Sequence, residues 1–163
     1  MTDIVLTSRS PEETERIGHL LGDVLKPGTT VALTGELGGG KTCFARGVVA
    51  GAAPQSSNLV ASPTFAIMNE YPGDPPVHHF DFYRLTGAGE CSELGFEEYL
   101  TGPGICLIEW PDRLGNLLPE ERICVRFEAP DESGRIISIT AFGLRCSLLL
   151  EQFSVRLRDA DFL

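Results

Sequence analysis

The spacing of apolar residues in the first third of the chain predicts a helix, a buried strand and a second helix. Apolar residues recur at helical spacing over residues 11–25, and Ser10 is a suitable N-cap because proline follows it and a glutamate lies three residues beyond it. Residues 29–34 form a β-branched and apolar run, which is typical of a buried strand. Helical spacing resumes over residues 41–52, after a glycine-rich stretch at 35–40.

The middle and later parts of the chain are typical of strands joined by short turns. Residues 64–71 and 77–83 alternate in polarity around a turn rich in proline and glycine, which predicts an antiparallel pair. Residues 122–128 and 135–142 predict a second hairpin. Four consecutive apolar residues at 105–108 predict a further buried strand.

These elements together predict one α/β domain. A short helix is expected over residues 91–100, and a chain of 163 residues has room for about one domain. We predict that residues 1–143 form a mixed central sheet flanked by helices and carrying antiparallel hairpins. We treat residues 144–163 as a C-terminal tail whose structure the pattern leaves open, although residues 148–158 have helical spacing.

The glycine-rich stretch matches the phosphate-binding pattern G-x-x-x-x-G-K-[ST], and it lies between a predicted strand and a predicted helix, as that pattern requires. Its glycines allow backbone N–H groups to turn toward phosphate oxygens, and the helix N-terminus adds positive charge. Lys41 is expected to contact the β and γ phosphates, and the Thr42 hydroxyl to ligate Mg²⁺. The predicted nucleotide-binding residues of this loop are Gly35, Glu36, Leu37, Gly38, Gly39, Gly40, Lys41, Thr42 and Cys43.

The loop pattern also narrows the kind of nucleotide. The spacing of its glycines does not fit the G-x-G-x-x-G pattern of dinucleotide sites. Neither lysine of the chain lies in the N/T-K-x-D pattern that binds guanine in GTPases. ATP is therefore favoured, with other bases left open.

Two acidic residues follow predicted strands and are candidates for cation and water chemistry. Glu109 ends the apolar run at 105–108, where a carboxylate that holds Mg²⁺ is usual, although that residue is commonly Asp. Alternation places Asp81 on one strand face with His79 and Tyr83. Asp81 could position or deprotonate an attacking water, or assist Mg²⁺ through a water. A plain edge strand with a wet face is the alternative.

A further candidate lies in the polar loop after the second helix. Thr64 belongs to Ser-Pro-Thr-Phe at 62–65, where segments that sense the γ phosphate commonly lie. It could ligate Mg²⁺ or hold a water. A capped strand start is an equally good interpretation. His78 and His79 are expected to point to opposite faces of their strand, which argues against a zinc site.

The acidic character of the chain argues against direct nucleic-acid binding. Thirteen basic and 23 acidic residues give a net charge of −10, which repels phosphates over most of the surface. Residues 70–110 hold eight acidic residues and one base, so this segment faces water, a basic partner or a cation. The five cysteines form no C-x-x-C pair, and no stretch has the pattern of a leader or a membrane span. We therefore expect a soluble cytoplasmic protein with reduced thiols.

Taken in order, these motifs resemble the bacterial TsaE (YjeE) family of tRNA threonylcarbamoyladenosine biosynthesis. The resemblance covers roughly residues 11–140. It implies a single P-loop NTPase domain that binds ATP or ADP with Mg²⁺ and hydrolyses ATP weakly by itself. The motifs that match are G-x-L-G-x-G-K-T at 35–42, S-P-T-F at 62–65, H-x-D-x-Y-R at 79–84, E-L-G at 93–95 and I-E-W at 108–110.

The resemblance also implies partners and a biological role. Members of this family dock on a heterodimer of the threonylcarbamoyl transferase TsaD and its paralogous partner TsaB. Their ATP turnover supports repeated transfer onto the adenosine beside the tRNA anticodon, without carrying out the transfer. By this resemblance the chain would reach tRNA only through the complex, and would engage neither DNA nor a membrane.

The resemblance further implies roles for individual residues. Asp81 and Lys41 would be catalytic, Thr42 and Glu109 would hold Mg²⁺, and Arg135 would approach the nucleotide base. Three residues near the site, Tyr83, Arg84 and Trp110, would serve partner or tRNA contacts, with a buried tryptophan behind its strand as the alternative. Two other functions stay open at this point: a small-molecule kinase that uses the same P-loop, and a nucleotide-dependent switch without useful catalysis.

Overall fold

The structure is a computed structural model that describes residues 2–36, 38, 40–59 and 67–163. In these ranges the strands are β1 Thr2–Ser8, β2 Thr30–Thr34, β3 Met68–Tyr71, β4 Val77–Asp81, β5 Ile105–Glu109, β6 Arg122–Glu128 and β7 Arg135–Phe142. The helices are α1 Pro11–Val24, α2 Lys41–Ala52, α3 Ala88–Glu93, α4 Glu97–Leu100 and α5 Leu144–Asp159, with 3₁₀ helices at Pro54–Leu59 and Pro111–Leu117. None of the helices described has both the length and the apolar character that a membrane span needs.

The strands form one mixed sheet in the order β1-β7-β6-β2-β5-β4-β3. β2 lies at its centre and runs parallel to β5 and β6, while β4 runs parallel to β5. β3 pairs antiparallel with β4, and β7 pairs antiparallel with β6, so both predicted hairpins are confirmed. Because β2, β4 and β5 point the same way, their carboxyl ends meet at one edge of the sheet, where ligands of open α/β sheets bind.

Helices cover both faces of the sheet and bury two apolar clusters. In the larger cluster, inward-facing strand residues such as Val31 and Leu107 pack with residues of α1, α2 and α5. Because side chains alternate along a strand, Phe80 and Ile108 point to the other face. There they join Phe82 and residues near α3 and α4 in the smaller cluster. The predicted mixed sheet flanked by helices is confirmed.

Helices α1 and α2 approach each other through glycines. A Cβ atom built on Gly47 of α2 would lie 2.0 Å from the carbonyl oxygen of Glu15 on α1, and one on Gly18 of α1 would lie 2.3 Å from the carbonyl oxygen of Phe44. Only hydrogen fits at these positions, since real Cβ atoms essentially never come this close to a backbone oxygen. The contact fixes α2, and with it the start of the helix that follows the glycine-rich loop, against α1.

The N-terminal segment differs from what the sequence pattern indicated. The pattern predicted no strand before residue 11, whereas β1 pairs antiparallel with β7 and completes the sheet. Residues 144–163, whose structure the pattern left open, contain the helix α5, and its Phe153 and Leu157 are fully buried in the larger cluster.

Two elements in the middle of the chain are shorter than expected. The strand predicted to reach residue 83 ends at Asp81. Its partner strand β5 ends at the same level, at Glu109, which is paired with Asp81. The helix predicted over residues 91–100 is divided at Gly95, whose φ of +76° does not fit a right-handed helix. The first part of the strand predicted over residues 64–71 lies outside the described residues.

Candidate functional site

The glycine-rich loop joins the carboxyl end of β2 to the first turn of α2. Gly38 and Gly40 have φ values of +78° and +102°, in the left-handed region that favours glycine. Gly35 lies so close to β6 that a Cβ there would be 2.8 Å from the carbonyl oxygen of Phe127. Gly40 occupies the N-cap of α2 and brings no side-chain acceptor, so the first N–H groups of the helix are left for another acceptor. Two members of the loop, Leu37 and Gly39, lie outside the described residues.

Lys41, the first residue of α2, directs its ammonium group back into this loop. Its side chain is buried, and its Nζ donates a hydrogen bond to the carbonyl oxygen of Gly35 at 2.7 Å. The same Nζ lies 4.4 Å from the centre of the Trp110 ring, a cation–π distance. Burial lowers the pKa of Lys41, and the negative charges of Glu109 and Asp81 partly oppose that lowering.

Asp81 and Glu109 lie next to each other and line the same cavity as the glycine-rich loop. They are the last residues of β4 and β5 and are paired in the parallel register of these strands. Alternation puts both on the sheet face that carries Leu107, which is the face covered by α2. Neither carboxylate is within 4.0 Å of Lys41 among the ion pairs of the described residues, so the ammonium attracts them without being neutralised by contact.

The two carboxylates differ in their surroundings. Glu109 is almost completely buried, and its Oε2 is 2.7 Å from Nε2 of His79, which is fully buried. Asp81 is half-buried, and its Oδ1 accepts a hydrogen bond from the backbone N–H of Tyr83 at 3.0 Å. Burial raises the pKa of Asp81, the Tyr83 hydrogen bond opposes that rise, and the charge of Glu109 adds to it.

These groups line one cavity of about 430 Å³. Thr42, in the first turn of α2, lines this cavity together with Asp81 and Glu109, and Tyr83 and Arg84 lie at its wall. Its lining is formed by Gly38, Gly40, Lys41, Thr42, Cys43, Asp81, Tyr83, Arg84, Glu109 and Trp110.

The cavity offers the groups that a magnesium-bound polyphosphate needs. Thr42, Glu109 and Asp81 present hard oxygen ligands of the kind that Mg²⁺ prefers. In the described ranges no three His, Cys, Asp or Glu side chains converge into a metal-binding group. Mg²⁺ on a nucleotide usually takes one or two protein carboxylates and shares phosphate oxygens. The residues present thus fit both a polyphosphate and its cation.

Trp110 has a structural role that the sequence pattern left open. Its backbone is left-handed, with φ of 59° and ψ of 52°, directly after Glu109. The ring is half-buried between the loop and the partly exposed Tyr83, whose ring centre is 5.0 Å away. Trp110 lines a second cavity of about 520 Å³ that also contains Gly35 and Glu36. The tryptophan is therefore part of the loop site.

Arg135, at the start of β7, contacts the loop directly. Its Nη2 donates a hydrogen bond to the carbonyl oxygen of Gly38 at 3.1 Å. It also lines a small cavity of about 120 Å³ between the first turn of α1 and the turn before β7. Cys43 takes part in this cavity as well. The approach of Arg135 to a nucleotide base stays a prediction.

The structure therefore brings the sequence-predicted residues together, with exceptions that lie outside it. Lys41, Thr42, Asp81 and Glu109, which the sequence identified separately as candidates, meet at one cavity. Thr64, like the rest of residues 60–66, lies outside the described residues. The pattern missed His79 as the partner of Glu109. The sequence did carry a usable signal for this contact. His79 lies two residues before Asp81, and residues two apart on a strand share a face.

The central parallel strands, the strand-loop-helix arrangement of the glycine-rich loop and the strand-end carboxylates define a P-loop NTPase-type domain. Residues 8–137 match the family model described as "Threonylcarbamoyl adenosine biosynthesis protein TsaE". Because this match covers most of the 163 residues, the chain belongs to the TsaE family.

Individual relatives agree with this assignment. A "tRNA threonylcarbamoyladenosine biosynthesis protein TsaE" of Bacillus subtilis is 39% identical over 146 residues, which cover 89% of this chain and 90% of the relative. A protein of the same name in Nostoc is 37% identical over 155 residues, 92% of each chain. The crystal structure of Bacillus subtilis YdiB is similar with a TM-score of 0.76 and 34% identity, covering 94% of this chain and 95% of that one.

Proposed function

We propose that this chain binds ATP with Mg²⁺ at the cavity described above and hydrolyses it, as an accessory protein in forming threonylcarbamoyladenosine on tRNA. The observation that carries the proposal is the buried ammonium of Lys41 inside the glycine loop, facing the two strand-end carboxylates of Asp81 and Glu109. Membership of the TsaE family supports the biological role, since its relatives are named for this tRNA modification. Those comparisons give the small-molecule kinase alternative no support.

The backbone and Lys41 would hold the polyphosphate. The start of α2 has no side-chain cap, and Gly38 and Gly40 are left-handed, so backbone N–H groups there would be available to phosphate oxygens. Lys41 would exchange its hydrogen bond to the carbonyl of Gly35 for phosphate oxygens. This exchange favours binding because the nucleotide supplies negative charge to an ammonium that burial otherwise disfavours.

Thr42 and Glu109 would hold the cation, and Asp81 would act on water. When bound, Mg²⁺ would neutralise charge on the phosphates. Asp81 lines the same cavity, and its raised pKa makes it a better proton acceptor than an ordinary aspartate. We assign to Asp81 the positioning and deprotonation of the attacking water.

The remaining contacts extend the site toward the base and toward partners. Arg135 and the small cavity beside it would receive the base end of the nucleotide, since Arg135 already contacts the loop carbonyl of Gly38. Tyr83 and Arg84 lie at the cavity wall and are exposed, which suits contact with a partner surface. We propose TsaD and TsaB as these partners, with tRNA reached only through them.

Phosphate release from ATP tests the proposal. We expect slow release by the chain alone with Mg²⁺, stimulation when the TsaD and TsaB heterodimer is added, and no release from Lys41→Ala in either condition. Arg158→Ala serves as a surface control, because Arg158 is exposed on α5 and its side chain bonds only Ser154 of the same helix among the hydrogen bonds of the described residues. Release by Lys41→Ala at the wild-type rate would exclude this cavity as the ATPase site. Phosphate transfer to a metabolite without the heterodimer would favour a kinase instead.

A further inference from the structure

A histidine buried behind the site makes a contact that the proposed chemistry has not used. His79 is fully buried on β4, and Glu109 is almost fully buried at the end of β5. Their side chains meet at 2.7 Å between Nε2 and Oε2. A carboxylate attracts the imidazole at this distance when the imidazole N–H donates, so the geometry assigns the proton of this contact to Nε2.

The sheet register explains why this contact is specific. His79 pairs with Leu107 and Asp81 pairs with Glu109 in the parallel ladder of β4 and β5. Because alternate residues share a face, His79 lies on the same face as both carboxylates and one pleat farther from the loop. From there its ring reaches Glu109 across the strands. His78, the next residue along β4, instead approaches Glu70, with its Nδ1 3.8 Å from Oε1.

Among the described residues, the buried ring of His79 makes one polar contact, with Glu109. Its Nδ1 is buried without a hydrogen-bond partner there, so the contact with Glu109 is the polar interaction that its ring makes in this region. A buried polar group without a partner is unfavourable. A phenylalanine or leucine would fill the same space without that penalty, so packing alone does not account for a histidine.

We propose that His79 is a positioning residue that holds the Glu109 carboxylate toward the cavity for binding of a divalent cation. With Oε2 engaged by His79, Oε1 is the oxygen that remains for the cation. The same hydrogen bond restrains Glu109 from turning to Lys41, whose charge attracts it and whose ammonium is needed for phosphates. This inference rests on the proposed function. It adds a residue that acts through Glu109 and touches neither nucleotide nor cation.

The test compares variants that differ in whether they can reach Glu109. In His79→Gln the amide nitrogen is as many bonds from Cβ as Nε2 of histidine, so it can still donate to Glu109. In His79→Asn the amide is one bond shorter and matches the position of Nδ1, so it cannot. His78→Asn is the matched control, because His78 is also buried on β4 but faces Glu70.

The measurement is calorimetric binding of a non-hydrolysable ATP analogue, once with EDTA and once across a Mg²⁺ titration. We expect His79→Asn to need about 10-fold more Mg²⁺ to reach the same nucleotide affinity. Loss of a residue that orients a metal ligand typically lowers metal affinity by about this factor or more. Its affinity in EDTA should stay unchanged. His79→Gln and His78→Asn should have the Mg²⁺ requirement of the wild type. Adding His79→Asn to Glu109→Gln should cause no further change, since the group to be positioned is already gone.

The outcomes separate this inference from the function on which it rests. If the wild type binds the analogue more tightly with Mg²⁺, and His79→Asn has the same requirement, His79 does not position Glu109. An equal loss for His79→Asn in EDTA and in Mg²⁺ would mean a purely structural role and would also overturn the inference. If the folded wild type binds no nucleotide in either condition, the proposed function itself fails.

Discussion

Replacement of Gly47 by alanine is expected to push α1 and α2 apart and to destabilise the protein. A Cβ at this position would lie 2.0 Å from the carbonyl oxygen of Glu15 and 2.8 Å from the backbone nitrogen of His19. The first distance is about 1.4 Å short of the 3.4 Å at which ordinary van der Waals contact begins. Both neighbours belong to the backbone of α1, so neither can rotate away, and the helices must separate.

The expected size follows from two opposing effects. Overpacking a core usually costs about 1–3 kcal/mol, and a contact between two rigid backbones belongs at the upper end, about 3 kcal/mol. Alanine favours the helix over glycine by about 1 kcal/mol, which offsets part of the loss. The free energy of unfolding should therefore fall by about 2 kcal/mol, equivalent to roughly 6 °C in melting temperature for a chain of this size.

Urea unfolding followed by circular dichroism measures this change, with Gly89→Ala as the matched control. Gly89 lies in α3, and no heavy atom comes within 4 Å of a Cβ built there. The control should become more stable by about 0.5–1 kcal/mol, through helix propensity alone. If Gly47→Ala were as stable as Gly89→Ala, the close approach of α1 and α2 would be wrong.

Three further predictions concern single side chains. Lys41→Met should lose nucleotide binding in calorimetry, yet melt at a higher temperature than the unliganded wild type. A lower melting temperature would contradict the inference that burial disfavours the charge of Lys41. Asp81→Asn should keep nucleotide affinity and gain stability at neutral pH while phosphate release falls; normal release would remove Asp81 from the mechanism. Cys106, whose pKa burial raises to about 12, should resist alkylation until the protein unfolds, as peptide mass spectrometry would show.

The stability gains follow from the direction of the two pKa shifts. Lys41 has a lowered pKa, so the unfolded chain binds more protons just below pH 10.5, and stability should rise with pH through that window. Asp81 has a raised pKa, so the folded protein binds more protons just above pH 3.8, and stability should fall as pH rises there. Both shifts mean that the fold disfavours the charged form of the group, and each neutral replacement removes that cost.

The parts of the fold that local sequence specifies could be predicted. The loop before α2 contains left-handed glycines and a helix start without a side-chain cap. Both features depend on residues that are consecutive in the sequence, so the local motif was enough to predict them. Asp81 and Glu109 were each identified from sequence as candidates for the site. Their side-by-side position was not predicted, because it depends on β4 ending at Asp81 and running parallel to β5.

The features that depend on distant packing could not be predicted in the same way. β1 has the alternation of a strand, but it becomes one by pairing with β7, more than a hundred residues away. The helix α5 was recognisable by spacing, whereas its burial required knowledge of which sheet face was still uncovered. The contact of Lys41 with the ring of Trp110 depends on a left-handed tryptophan backbone, for which the sequence carries no simple signal.

Several residues at the site lower the stability of the folded protein. Burial opposes the charges of Lys41 and Asp81, and a left-handed backbone at a bulky residue such as Trp110 costs on the order of 1–3 kcal/mol. Packing away from the site, including the glycine contact of α1 with α2, has to compensate for them. Under the proposed function, a nucleotide with Mg²⁺ would bring opposite charge to both groups, and at a hundred times its Kd it should stabilise the fold by about 2.7 kcal/mol, as any ligand of the folded state would. The charges that weaken the protein without ligand would then contribute to binding the ligand.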